Sequence, residues 1–150
     1  MAHTFVKEIM KTNIISIDSS KTIKEAACMM DDSDIGCVII TRDGSPIGIL
    51  TERDFVKKIV AKNKDLSSPL TEVMSSPLIM INSDETVWEA AEIMKQKGIH
   101  KLPVLDNNKV SGIITTTDLI KICSVGSDSE MRNICDQILM RMKDNPTSKK

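Results

Sequence analysis

The sequence predicts a mixed α/β (α+β) fold of two tandem β-α-β-β-α units related by an approximate two-fold axis, with one extra helix after them. Three observations carry that expectation. Gly48-Ile-Leu-Thr51-Glu-Arg-Asp54 returns as Gly112-Ile-Ile-Thr115-Thr-Thr-Asp118, displaced by 64 positions, 112 less 48. At the same displacement, without a gap, Met10 meets Met74, Ile17 meets Ile81, Thr22 meets Thr86, Glu25-Ala26-Ala27 meets Glu89-Ala90-Ala91, Met30 meets Met94 and Ile35 meets Ile99. Within each copy, apolar residues switch between strand and helical spacing in the same order. A short unit copied in tandem rarely buries its apolar face alone, so the copies are expected to pack together and leave a cleft between them.

In copy one, 14–17 reads as a strand, and Thr22 opens a helix whose Ile23, Ala26, Ala27 and Met30 share one face. In copy two, 78–81 is the matching strand and Val87, Ala90, Ala91 and Met94 the matching face, with Gly98 placed to end the helix left-handed. Two strands follow each helix, 37–41 with 47–50 and 102–105 with 110–114. Their joints, Asp43-Gly44 and Asn107-Asn108, tolerate the positive φ of a tight hairpin. The last strand of each copy runs through its glycine into a helix, 52–62 or 116–123. The predicted organisation is therefore repeat 1 over 1–62, a polar linker over 63–69 ending at proline, repeat 2 over 70–123, and a C-terminal helix and tail over 124–150. In that helix Met131, Ile134, Cys135, Ile138, Leu139 and Met142 form a stripe that reads first as a lid on the core, with a dimer contact as the alternative.

Composition sets the outer bounds. The chain has 150 residues, of which 41% are apolar and 27% charged, enough for an ordinary globular core. A net charge of −1 speaks against a surface that coats nucleic acid. No apolar run reaches the roughly 18 residues that span a bilayer, and the start lacks a signal-peptide core, so a cytoplasmic protein away from the membrane is expected. The four cysteines have no C-x-x-C pair and the two histidines lie far apart, so the cysteines read as small apolar side chains in preference to zinc or disulfide roles, and no metal site is expected. Ten methionines against one Trp, two Phe and no Tyr describe a flexible aliphatic core.

Chemistry is concentrated at the two strand-to-helix elbows. Thr followed three residues later by Asp is the spacing of a capping box, a purely structural device. It is also a hydroxyl and a carboxylate beside the open amides of a helix start, which complement a phosphate and a ribose diol. The glycine three residues before each threonine lets either a ligand or a neighbouring backbone come close. Both readings stand at this stage. Neither a nucleophile–base pair nor a phosphate-cradling loop is legible, so no catalytic residue is assigned and the chain reads as a non-enzyme.

The duplicated unit with Gly-x-x-Thr-x-x-Asp at its last elbow resembles the cystathionine-β-synthase (CBS) domain, and the tandem pair resembles a stand-alone Bateman module. The resemblance covers 6–123. It implies a regulatory unit for AMP, ADP, ATP or S-adenosylmethionine, with Mg²⁺ accompanying ATP as an open option. Carried over by position, the ribose sits on Asp54 or Asp118, and Thr51, Thr115 and Thr117 reach ribose or phosphate. The adenine lies among Ile14, Ile15, Ile35 and Ile49 in copy one and Leu78, Ile79, Ile99 and Ile113 in copy two. Each of those residues is also a plausible core residue. For phosphate the candidates are Arg53 and His100-Lys101, each with the alternative of a solvated charge. The family commonly pairs into homodimers, and Trp88 at the edge of its helix face is the candidate contact beside the C-terminal stripe. The regulated partner stays unknown. The rival reading is an RNA-binding or protein-interaction module that takes adenosine within a chain; Lys57, Lys58, Lys62 and Lys64 favour it and the scarcity of aromatic stacking platforms opposes it.

Overall fold

The computed structural model describes residues 4–123 together with 132, 135 and 136. Local chemistry sets the elements. A helical turn α1, Val6–Ile9, precedes strand β1, Ser16–Asp18; helix α2, Ile23–Ser33, leads into strands β2, Cys37–Arg42, and β3, Ser45–Thr51. Helix α3, Glu52–Asp54, then continues as a π-helical stretch over Phe55–Val60. Copy two repeats the order: a 3-10 turn at Leu70–Glu72, β4 at Ile81–Asn82, α4 at Val87–Lys97, β5 at Lys101–Asp106, β6 at Lys109–Thr115 and α5 at Thr116–Cys123.

The starts of α2 and α4 are the same capping box. The Thr22 hydroxyl accepts from the Glu25 amide at 3.2 Å while the Glu25 carboxylate accepts from the Thr22 amide at 2.8 Å, and Thr86 with Glu89 repeats the exchange at 3.3 and 3.2 Å. Each pair satisfies two amides that a helix start would otherwise leave open. The amide bond from Thr22 holds the Glu25 carboxyl below its ordinary range. Both helices end left-handed, α4 at Gly98 as expected and α2 at Asp34, whose φ of 51° an Asp tolerates. The hairpin joints also take positive φ, at Asp43, Gly44, Asn107 and Asn108.

Two three-stranded sheets result, in the orders β1-β2-β3 and β4-β5-β6. In each, the first pair is parallel and the second antiparallel, because a helix crossover separates the first two strands and a tight turn the last two. The buried residues repeat with the sequence: Ile17, Ile23, Ala26, Met30, Val38, Ile40 and Leu50 in one sheet layer, and Ile81, Val87, Ala90, Met94, Leu102, Val104 and Ile114 in the other. Burying each valine, leucine, isoleucine or methionine among them contributes roughly 1.5–3 kcal/mol, so the repeated pattern doubles one core. Ala27 is only half-buried, at the rim of the face assigned to it.

Three features differ from the sequence expectation. The strands start late, at Ser16 and Ile81, since Ile14, Ile15, Leu78, Ile79 and Met80 precede the paired ladder. The turns at Val6–Ile9 and Leu70–Glu72 are too short to leave a periodic signal, yet each plugs its core with a fully buried residue, Val6 or Leu70. The third concerns the units themselves. One compact unit is Asn13–Ile79; among the described residues the other joins 4–12 to 80–123. The repeat boundaries at 62 and 70 follow the copies in the sequence. The folded units instead exchange the segments that precede the first strands. Leu70 and Val73 belong to the core of the unit containing β1, while the amides of Val6 and Lys7 donate to the carbonyls of Glu85 and Ser83 beside β4.

The cysteine expectation is overturned at one pair. Cys123, which ends α5, is joined to Cys135 by a disulfide with a Cα–Cα distance of 5.9 Å, inside the usual range of about 4.4–6.8 Å. A separation of 12 residues carries no recognisable spacing, so only the fold brings the two sulfurs together. Cys28 is exposed and Cys37 buried. Alkylation of the native protein followed by unfolding in alkylating agent is expected to label two cysteines without reductant and four with it, read by intact mass; four labels without reductant would contradict the bridge. The apolar stripe over 131–142 lies outside the described residues except for Arg132, Cys135 and Asp136.

Candidate functional site

In each unit the glycine of the elbow motif is needed by the chain itself. A Cβ on Gly48 would stand 2.7 Å from the Met74 sulfur and 3.0 Å from the Ser75 carbonyl oxygen. On Gly112 it would stand 2.7 Å from both the Lys11 carbonyl oxygen and the Met10 sulfur. The neighbours are equivalent, Met74 to Met10 and Ser75 to Lys11. Both segments are also stitched on by paired backbone bonds, Ser75 with Ile49 and Lys11 with Ile113. Of the two readings left open for the glycine, close approach of a neighbouring backbone is the one that the geometry displays.

The strand then turns into its helix through a second pair of capping boxes. Asp54 Oδ2 accepts from the Thr51 amide at 2.9 Å and from the Thr51 hydroxyl at 3.3 Å. Asp118 Oδ2 accepts from the Thr115 amide at 2.9 Å and its hydroxyl at 3.0 Å, and the Thr115 oxygen accepts from the Asp118 amide at 3.2 Å. The structural role weighed for this spacing is therefore present: both carboxylates fold back onto their own main chain. What separates these boxes from those at Thr22 and Thr86 is burial. Asp54 and Asp118 are 7% and 6% exposed, whereas Glu25 and Glu89 lie in solvent.

The second oxygen of each aspartate is occupied differently. Asp54 Oδ1 accepts from the Ser75 hydroxyl at 3.3 Å and meets the Lys58 ammonium at 3.1 Å; Lys58 also donates to Ser75 Oγ at 3.0 Å. Asp118 Oδ1 faces the Lys11 ammonium at 3.6 Å. A carboxylate has about four acceptor positions, two on each oxygen, so these donors fill Asp54 and leave one position on Asp118 Oδ1. Both lysines are roughly half in solvent, 42% and 49% exposed, against nearly buried carboxylates. The i,i+4 spacing of Asp54 and Lys58 signals one of these pairs in the sequence. Nothing local signals the other.

The remaining candidates sort by exposure. Ile14, Ile15, Ile35, Ile49, Leu78, Ile79 and Ile99 are half-buried, and Ile113 is core-like at 7%. Arg53, Thr117 and His100 are exposed and Lys101 half-buried. The backbone ties some of them to the elbows: Glu52 donates its amide to the Gly36 carbonyl beside Ile35, and Thr116 donates to the His100 carbonyl. Arg53 is exposed beside the elbow, and the cation that reaches Asp54 is Lys58, which the sequence reading did not place in the site.

Concavities open within the units among the described residues. One of about 270 Å³ is lined by Ala27, Met30, Ile35, Phe55 and acidic side chains that include Glu52. Another, of about 390 Å³, is lined by Met80, Ile81, Ile93 and the carboxyls of Glu85, Glu89 and Glu92. There a hydrogen bond to Glu89 raises the Glu85 carboxyl above its ordinary range and lowers Glu89, as when two acids share a proton. Among the described residues no group of His, Cys, Asp and Glu is arranged to hold a metal ion, and no helix is long and apolar enough to cross a membrane.

This repeated unit of parallel strand pair, crossover helix, hairpin and elbow helix can be compared with known proteins. The family model for the CBS domain matches it twice, over residues 6–61 and 70–125. The chain belongs to the CBS-domain family. The CBS domain-containing protein YhcV of Bacillus subtilis is 31% identical over 134 residues, covering 88% of this chain and 96% of YhcV. Protein MK0525 of Methanopyrus kandleri is 36% identical over 125 residues, 81% of this chain and 64% of that protein. Among solved structures, the CBS domain pair of protein MJ0100, in complex with 5′-methylthioadenosine and S-adenosyl-L-methionine, superposes with a TM-score of 0.74 at 30% identity, over 83% of this chain and 98% of that one. The CBS domain protein TA0289 of Thermoplasma acidophilum superposes with a TM-score of 0.77 at 25% identity.

Proposed function

We propose that this CBS pair is a regulatory module that takes up an adenosine derivative at its elbows and performs no catalysis of its own. The observation that carries the proposal is the repeated pair of buried aspartates, each fixed by its capping box through one oxygen while the other meets a half-exposed lysine that a ligand hydroxyl can displace. Two hydroxyls of a ribose need such an acceptor, held in place before the ligand arrives, because preorganisation reduces the ordering cost of binding. Thr51 and Thr115 belong to the same turns, and the half-buried isoleucines and Leu78 offer an apolar surface for a base. The bound pair of ligands in the MJ0100 complex, both adenosine derivatives, supports that class; AMP, ADP, ATP with or without Mg²⁺, and S-adenosylmethionine are its members for this chain. Pairing of two copies belongs to the same proposal. Val56 and Ile120, exposed at equivalent positions on the two elbow helices, offer apolar surface for it, and Trp88 is half-buried. A ligand changes the module only by the difference in its affinity for two states, so regulation requires that one conformation hold the adenosine better.

The test is titration calorimetry with AMP, ATP, S-adenosylmethionine and 5′-methylthioadenosine at two salt concentrations, with an adenosine-rich single-stranded RNA in parallel. Binding of at least one mononucleoside is expected. Binding of the RNA alone, with affinity that falls steeply with salt, would overturn the sensor reading in favour of nucleic-acid recognition.

A further inference from the structure

The two elbows reach the same electrostatic state by different routes. Position 11 is equivalent to position 75, and position 58 to position 122, each pair separated by 64 as 75 less 11 and 122 less 58. At the first pair the residues are Lys11 and Ser75; at the second they are Lys58 and Ile122. Among the described residues each aspartate therefore meets an ammonium group, Asp54 from its own helix and Asp118 from the segment before β1. Two lysines at non-equivalent positions converge on equivalent oxygens.

These lysines are poor structural anchors. Half-exposed ion pairs add little to stability, and the stem of four methylenes lets the ammonium swing while the carboxylate stays fixed. A sugar hydroxyl that bonds to Oδ1 takes the place occupied by the ammonium. The displaced charge then lies beside the sugar, where a 5′-phosphate is carried on the same ring.

Resting on the adenosine reading above, we propose that Lys58 and Lys11 are the charge selectors of the two elbows: each covers the aspartate Oδ1 when the elbow is empty and turns onto an anionic group of the ligand when a sugar takes that oxygen. A phosphorylated adenosine gains a partner for its charge, whereas a neutral adenosine must displace the lysine and receives nothing in return. The elbows also differ in what controls them. Lys58 moves with the helix that carries Asp54, while Lys11 stays only as long as residues 5–11 remain bonded beside Ile113 and Thr86. Loosening that segment removes the selector from Asp118 alone.

The experiment compares AMP with adenosine on the full chain, wild type and with Lys58→Met, Lys11→Met and both together, by titration calorimetry, with Lys58→Arg and Lys11→Arg as conservative controls. In the methionine variants the affinity for AMP is expected to fall about tenfold at the altered elbow, the size of one charge-assisted hydrogen bond, while adenosine binds as before or more tightly. The arginine variants should keep the preference for AMP. If AMP and adenosine shift by the same factor, or neither shifts, the lysines are structural and the proposal falls while the adenosine reading survives. If the wild type binds neither AMP nor adenosine but takes S-adenosylmethionine or 5′-methylthioadenosine, the selector proposal falls and the adenosine reading survives; if it binds none of these, both fall.

Discussion

Gly112→Ala is expected to destabilise the unit that contains β6 by about 1–3 kcal/mol, the usual cost of overpacking, and to do so by more than Gly48→Ala destabilises the other unit. The two glycines are equivalent in sequence, but their neighbours can yield to different degrees. At Gly48 the nearest atom is the flexible end of Met74, which can swing aside, and the backbone oxygen lies at 3.0 Å. At Gly112 the Lys11 carbonyl oxygen itself lies at 2.7 Å and accepts the Ile113 amide at 2.9 Å. A methyl group must push that backbone away and break its pair of hydrogen bonds. Urea unfolding of the two variants measures the difference, and hydrogen exchange at the amides of Lys11 and Ile113 locates it. Equal losses, or continued protection of both amides in Gly112→Ala, would contradict the account.

The second large effect is at the elbow carboxylates, where capping and binding can be separated by the choice of substitution. Asp118→Ala removes the acceptor of the Thr115 amide in a buried turn, so a loss of about 1–3 kcal/mol in stability is expected together with loss of adenosine-derivative binding at that elbow. Asp118→Asn keeps an oxygen that can accept the same amide, so most of the stability returns. Its other atom becomes a donor, and a ribose hydroxyl paired with Lys11 nearby finds no anionic acceptor there. Binding should therefore stay lost in Asp118→Asn while the unfolding midpoint recovers. Asp54→Ala and Asp54→Asn should divide in the same way. An Asn variant that binds AMP as the wild type does would mean that the carboxylate serves the cap alone, and the sugar lies elsewhere.

Much of this was legible in the chain because it is written locally. Thr86 and Glu89 are three residues apart, so their box can be read without knowing the fold; Gly98 sits one residue beyond a helical stripe, and Asn107-Asn108 between two apolar runs. The core of each sheet was legible for the same reason, as periodicity repeated at one displacement. The strand starts were less so, since Leu78 and Ile79 have strand-like side chains but find no ladder partner, and propensity does not pair a strand. The elbow was legible as a motif, and its two readings were not separable. Whether Asp54 accepts from its own Thr51 amide or from a ligand depends on burial and on which donors arrive, and spacing contains neither. Arg53 was the nearest cation in sequence to the elbow, yet Lys58, one helical turn beyond Asp54, is the one whose ammonium reaches the carboxylate.

The sequence by itself determined that the chain is one unit written twice, where its helices begin and end, which faces are apolar and which two turns carry the hydroxyl and the acid, since each of these depends on residues within a few positions of one another. Only the tertiary structure decided that Met74 lies against Gly48 and Met10 against Gly112, that Lys11 comes to Asp118, and that Cys123 meets Cys135. The copies are alike enough that Met10 and Met74 are equally suited to either glycine. A contact between distant segments leaves no local mark, so its choice is made by packing and by how the intervening chain closes.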